Sequence, residues 1–153
     1  MSPRALDLFC GAGGAARAAA FGLHREGARV SIWNRTPERA KDFAEKIGIE
    51  WVEDMHKWDG HPQVIVNATS VSYQSKQSTL VAFPLWEKVE LAMDAVYGKT
   101  SLFLEEAKAA QVKNIISGEE WFLYQALPMF VLVTGREVPF DLLSKYTKEH
   151  VRS

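Results

Sequence analysis

The chain has 153 residues, enough for one domain with a real core and too few for a second full one, and its 47% hydrophobic and 24% charged content is ordinary globular composition. A formal net charge of -1 excludes a general electrostatic drive toward nucleic acid or an anionic membrane, so any phosphate binding must come from a local cluster. The single cysteine, Cys10, excludes an internal disulfide, no apolar run reaches the ~20 residues of a membrane span, and Met1 to Ala5 is too short and polar for a signal peptide, so a cytoplasmic setting is expected.

Ala5 to Cys10 predicts a first strand, which breaks at Gly11-Ala12-Gly13-Gly14 and resumes as an alanine-rich helix over Gly13 to Arg25, with Gly27 just past its end. In this strand, loop and helix, Gly11 permits a turn too tight for a Cβ and Gly13 lets the backbone approach a pyrophosphate. Gly14 with Ala15 and Ala16 keeps the helix close to the sheet. The free N–H groups and positive dipole end of the helix then face an anion. Cys10, at the end of an apolar strand, reads as a buried and inert thiol. Asp7 does not suit a doubly covered strand and needs a partner or an exposed face.

Ala28 to Trp33 predicts strand two, ending at Asn34-Arg35-Thr36. Thr36 is placed to cap the next helix and Pro37 to open it, with Ala40, Phe43, Ala44 and Ile47 on one buried face before Gly48. Ile49 to Val52 is a weaker third strand. Glu53 to Gln63 is polar and reads as a loop or a short irregular helix, and Val64 to Val66 is a buried strand that delivers Asn67-Ala68-Thr69-Ser70 at its carboxyl end. Val71 to Leu85 is irregular. Leu91 to Val96, Leu102 to Ala110 and Asn114 to Ser117 read as strand, helix and strand. Glu119 to Thr134 is a long helix, apolar nearly all round, with a kink expected at Pro128, and Phe140 to His150 is a closing amphipathic helix. Alternating strand and helix signals argue for an α/β, Rossmann-like doubly wound fold: a mainly parallel sheet of about six strands with helices on both faces and ligands at the strands' carboxyl ends.

In an NAD-binding unit an acidic residue ends the second strand, where it would repel a 2′-phosphate. Here Asn34, Arg35, Thr36 and Arg39 stand there, and the two arginines, four apart at a helix start, can reach one anion. Two like charges at a positive helix end are unfavourable unless something negative sits between them, which points to a phosphate and to NADP over NAD. A solvated arginine pair is the plain alternative. Arg17 suits either a phosphate contact or an exposed helix face. His24, His56, His61 and His150 show no metal-ligand spacing, and no metal is expected.

From about Leu6 to Pro139 the chain resembles the NADP-binding domain of the shikimate dehydrogenase family, quinate/shikimate relatives included. Gly11-Ala12-Gly13-Gly14-Ala15-Ala16-Arg17-Ala18 is similar to its glycine loop and Asn34-Arg35-Thr36-Pro37-Glu38-Arg39-Ala40 to its adenosine-phosphate motif. Asn67-Ala68-Thr69-Ser70 is similar to the loop that lies along the cofactor. The resemblance implies a nicotinamide-side contact at Ala95 and a close approach at Gly118. It also implies substrate-side groups at Tyr97 and Gln125, and Thr134-Gly135-Arg136 matches the family's closing signature. Ser72-Tyr73 stands in place of the usual Gly-Met, the loop after Tyr97 is about two residues short, and Trp121-Phe122 replaces Met-Leu. It implies a single NADP-binding domain over 1–153, with the family's substrate domain and its proton-handling lysine and aspartate outside this chain. No catalytic residue is assigned; Lys99 follows no motif for proton transfer.

Two other readings stay open. Asp7-Leu8-Phe9-Cys10-Gly11-Ala12-Gly13-Gly14 is also similar to the S-adenosylmethionine loop of the cytosine-C5 DNA methyltransferases, although Cys10 is the single cysteine and no acid ends strand two. A non-catalytic NADP-binding module is the third, in which Tyr97 is an ordinary core-edge tyrosine, Gln125 a helix-surface glutamine, and Asn67 and Ser70 only cap a loop. The apolar helix over 119–134 is expected to support self-association, together with the Trp86 region.

Overall fold

Leu8 pairs with Ser31 on one side and with Ile65 on the other, so the first strand is the centre of the molecule. The computed structural model describes residues 6–69, 81, 83–97 and 101–150. Its strands are β1 (Leu6–Cys10), β2 (Arg29–Trp33), β3 (Glu50–Trp51), β4 (Val64–Asn67), β5 (Leu91–Asp94) and β6 (Asn114–Ile116). All pair in parallel as one six-stranded sheet in the order β3-β2-β1-β4-β5-β6. The chain winds outward from β1 in one direction and from β4 in the other, so their carboxyl ends flank the switch point where an open α/β sheet leaves a crevice.

Register then assembles the loop motifs. Cys10 pairs with Trp33 and with Asn67, and Asn67 pairs with Asp94. The segments that begin at Gly11, Asn34, Ala68 and Ala95 therefore leave the sheet side by side, although up to 84 positions separate them in sequence. Strands β3, β5 and β6 are shorter than their apolar runs suggest.

The helices are α1 (Gly14–Arg25), α2 (Pro37–Ile47), α3 (Leu102–Ala109), α4 (Gly118–Thr134) and α5 (Phe140–His150). One sheet face packs Phe9, Ile32 and Val66 against Ala16 and Ala20 of α1 and Ala40 and Ala44 of α2, with Trp121 of α4 beside them. The other packs Leu8, Cys10, Ile65 and Ala92 against Phe103, Leu104 and Ala107 of α3 and against Leu85 and Trp86 of a single helical turn, Phe83–Trp86. Small side chains on α1 and α2 let those helices lie close to the strands, which is why the alanine-rich sequence ends up against a sheet.

One local expectation changes. Thr36 occupies the position before α2 but its side chain makes no capping bond; its carbonyl accepts from Asn34 Nδ2. Ser117 caps α4 through a reciprocal pair with Glu120, the capping box that Ser-x-x-Glu spacing permits. Helix α4 runs through Pro128, where the missing N–H leaves the Tyr124 carbonyl without its helical donor. Among the described residues no helix is long and apolar enough to cross a membrane.

Candidate binding site at the carboxyl edge of the sheet

The loop after β1 is shaped by one obligatory glycine. Gly11 has φ +115° and a Cβ there would lie 2.8 Å from the Ala68 carbonyl oxygen, so both the dihedral and the approach to the β4 loop exclude a side chain. Its N–H donates to the Trp33 carbonyl at 2.7 Å. Gly13 and Gly14 differ: both are exposed and a Cβ on either meets nothing within 4 Å. The sequence-based expectation that Gly14 keeps α1 on the sheet is therefore corrected; Ala16 and Ala20, each 0% exposed, do that. What Gly13 and Gly14 leave is an uncovered helix start with its N–H groups outward, open to an anion that side chains would crowd.

Asn34, directly after β2, ties this loop down. Its Oδ1 accepts from the Ala12 N–H at 3.2 Å and its Nδ2 donates to the Thr36 carbonyl at 2.8 Å. Arg17 acts alongside: Nε donates to the Ala12 carbonyl at 3.0 Å, one terminal nitrogen donates to the Arg39 carbonyl at 3.3 Å, and the guanidinium lies 5.4 Å from the centre of the Phe43 ring. Arg17 thus bridges α1 to α2. Arg35 and Arg39 are exposed at the amino end of α2, and among the described residues neither guanidinium has a hydrogen bond or an ion pair. Two cations at a positive helix end, with Glu38 the acidic residue in its first turn, form a local excess of positive charge next to the open start of α1.

The β4 loop brings in Asn67, Ala68 and Thr69. Asn67 is fully buried: its Nδ2 donates to Asp94 Oδ1 at 3.0 Å, and its Oδ1 accepts from the Thr69 N–H at 3.0 Å and the Thr69 hydroxyl at 2.8 Å. Its side chain serves the loop's shape, while Ala68 and Thr69 face the crevice half-buried. Asp94 Oδ1 also accepts from the Val96 N–H at 2.9 Å, and Asp94 Oδ2 accepts from the Ser101 hydroxyl, whose oxygen in turn caps α3 at Leu104. Burial pushes the Asp94 carboxyl above the usual aspartate range, and the bonds from Ser101, Val96 and Asn67 hold that rise back. The link between Asp94 and Ser101 is carried by no local sequence pattern.

Gly118 opens α4, and a Cβ there would sit 2.0 Å from the Val96 carbonyl oxygen. The glycine is required because α4 starts hard against the backbone that follows β5. That contact sets Ala95 beside the start of α4 and brings Tyr97 onto Phe122, ring centres 5.3 Å apart. Gln125 is exposed one turn further along α4. Ser70, Ser72, Tyr73, Lys99 and Thr100 lie outside the described residues.

Cys10 is the buried thiol its place at the end of β1 predicts, whereas Asp7, expected to have a partner or an exposed face, has neither among the described residues. The Cys10 thiol is fully buried, contacts the Met55 sulfur at 3.7 Å and is pushed up to about 12 by burial, so it is no nucleophile. Asp7 is 3% exposed, its Oδ1 has no hydrogen-bond partner, and burial raises it to about 6.

The sequence model of the family described as shikimate / quinate 5-dehydrogenase matches residues 5–81, which hold the glycine loop, the arginine pair and the β4 loop. The chain belongs to that family. The NADP(+) shikimate dehydrogenase of Aquifex aeolicus is 35% identical over 142 residues, covering 93% of this chain and 52% of that protein. Its crystal structure superposes with a TM-score of 0.80 at 31% identity, over 94% of this chain and 53% of that one. The shikimate dehydrogenase of Thermus thermophilus, solved with NADP(H) and shikimate, superposes with a TM-score of 0.82 at 32% identity, over 95% of this chain and 55% of that one. The chain thus spans about half the length of the dehydrogenases it matches.

Proposed function

We propose that this chain is the NADP-binding half of a shikimate dehydrogenase-type oxidoreductase, a single domain over 1–153 that works with a substrate domain carrying the proton-handling groups. The observation that carries the reading is the juxtaposition, at the switch point of the sheet, of an open helix start at Gly13 and Gly14 with the unneutralised guanidiniums of Arg35 and Arg39. Outward N–H groups suit a bridging diphosphate, and an arginine pair suits a 2′-phosphate on the adenosine ribose. The NADP named with the Thermus thermophilus structure supports the same ligand here.

In this reading Gly11, Ala12, Gly13, Gly14 and Ala15 form the diphosphate cradle. Asn34 holds that cradle at its distance from α2, and Arg35, Thr36 and Arg39 take the 2′-phosphate. Asn67, Ala68, Thr69 and Ser70 form the loop along the dinucleotide, Ala95 and Gly118 border the nicotinamide, and Tyr97 and Gln125 face the substrate hydroxyls. NADPH held by these residues would supply the hydride that reduces the ketone carbon of a 3-dehydroshikimate-like substrate to the alcohol, leaving NADP. The alcohol oxygen must also gain a proton. The described residues of this chain place no proton donor at that point, so the chain alone binds cofactor and the two halves together turn substrate over.

Titration with NADPH, NADH and S-adenosylmethionine tests this directly. Tight NADPH binding that Arg35→Ala weakens by roughly tenfold or more, with Tyr97→Ala silent, is the expected result. Equal affinity for NADH removes the phosphate-selector role of the arginines, and preferential S-adenosylmethionine binding transfers the glycine loop to methyl-transfer chemistry.

A further inference from the structure

Ala12 is held on both sides of its backbone. Its N–H donates to Asn34 Oδ1 at 3.2 Å and its carbonyl accepts from Arg17 Nε at 3.0 Å. Arg17 continues to α2, where one terminal nitrogen donates to the Arg39 carbonyl at 3.3 Å. The Arg39 N–H donates to the Thr36 carbonyl at 3.2 Å, and that carbonyl uses its other lone pair to accept from Asn34 Nδ2 at 2.8 Å. These hydrogen bonds close a ring from Asn34 through Ala12, Arg17, Arg39 and Thr36 back to Asn34. One side of the ring is the glycine loop and the start of α1; the other is the amino end of α2.

Arg17 makes the crossing between the two helices in that ring, and its guanidinium is fixed three times over. Nε and a terminal nitrogen point at two different carbonyls, and the guanidinium carbon lies over the Phe43 ring, 5.4 Å from its centre. A guanidinium presents its donors in a rigid fork, so engaging two of them sets the distance between the backbones they reach. Arg17 is half-buried, whereas Arg35 and Arg39 beside it are exposed. The division is between a cation that joins two backbone segments and two cations that face outward. A ligand with two anionic groups gains from such a join, because two half-sites held at one separation are met without a further ordering cost.

We propose, resting on the reading of this crevice as an NADP site, that Arg17 is a positioning residue for the dinucleotide. It sets the spacing between the diphosphate cradle at Gly13 and Gly14 and the 2′-phosphate end of α2, so that a ligand carrying both anions binds more tightly than either half-site alone provides for. Arg17 does this without touching the ligand. Methionine in its place keeps the apolar stem over Phe43 and loses both carbonyl bonds; lysine keeps the charge and loses the fork.

Three ligands test this by calorimetric titration of the chain: NADPH, which carries both anionic groups, NADH, which carries the diphosphate alone, and adenosine 2′-monophosphate, which carries the 2′-phosphate alone. Arg17→Met is expected to weaken NADPH binding by roughly tenfold and each single-site ligand by less than about twofold. Arg17→Lys is expected to lose NADPH affinity to the same extent within about twofold. Circular dichroism melts check that the variants stay folded; should Arg17→Met unfold, Arg17→Lys carries the same comparison. An equal loss for all three ligands overturns the proposal and makes Arg17 a support of the loop alone. Recovery of NADPH binding by lysine, or a loss for adenosine 2′-monophosphate as large as that for NADPH, overturns it in favour of a direct phosphate contact. The parent chain separates this inference from the reading beneath it. Equal affinity of the parent for NADPH and NADH sinks the NADP assignment, whereas a parent that prefers NADPH and variants that bind it as tightly sink the positioning role alone.

Discussion

Asn34 Oδ1 accepts the Ala12 N–H at 3.2 Å, so the residue that ends the second strand holds the glycine loop in place. The position where an NAD-binding unit carries an acid for the ribose here carries an amide that joins two halves of a candidate phosphate site. One side chain thereby couples the end of β2 and the start of α2 to the geometry of the glycine loop.

Asn34→Leu removes the acceptor for Ala12 and the donor to Thr36 without adding charge. NADPH affinity is expected to fall by roughly tenfold, about 1.4 kcal/mol, with the fold retained by circular dichroism. Asn34→Asp keeps the acceptor but sets a carboxylate beside Arg35 and Arg39. The ratio of NADPH to NADH affinity is then expected to fall below that of Asn34→Leu, and an unchanged ratio in both variants would show that this position does not act on the 2′-phosphate.

Asp7 makes stability depend on pH in the direction opposite to a salt-bridged carboxylate. Its folded value is raised to about 6 from 3.8, so between those values the folded state binds the extra proton. The Asp7 contribution is most favourable below 3.8 and is lost as pH rises through 6, a difference of roughly 3 kcal/mol. At pH 7.5 Asp7→Leu is expected to raise the melting temperature by roughly 6 °C or more. The gap between variant and parent should close toward pH 4; a gap that is constant with pH would mean that Asp7 is solvated.

Ser101 has two duties: it caps α3 through the Leu104 N–H at 3.2 Å and donates to buried Asp94. Ser101→Ala removes a cap and strips one bond from a carboxylate that has no access to water, a combined loss of roughly 2–4 kcal/mol in urea unfolding. Asp94→Asn, which keeps an acceptor for Val96 and Asn67, is expected to lose less. The reverse order would place the burden on charge rather than on the cap.

The carboxyl-terminal turns of α4 expose Met129, Phe130, Val131, Leu132 and Val133, the last two 86% and 78% accessible. Light scattering at high protein concentration is expected to give a mass above the 17.2 kDa monomer. Leu132→Glu with Val133→Lys should return the mass to that of one chain; a monomer at every concentration in the parent chain would leave this face solvated.

The alternation of apolar runs with helical periodicity by itself determines a doubly wound parallel sheet, because period and order are local properties of a chain. The same holds for the glycine loop, the basic pair after strand two and the closing helices. Sequence also showed that Asp7 was out of place, but not where it pointed. The tertiary structure alone decided three things: that Arg17 bridges α1 to α2, that Asp94 answers to Ser101, and that Gly118 is required by the Val96 carbonyl. Each depends on strand register and on which face a crossover takes, and these join residues whose positions in the sequence carry no shared pattern.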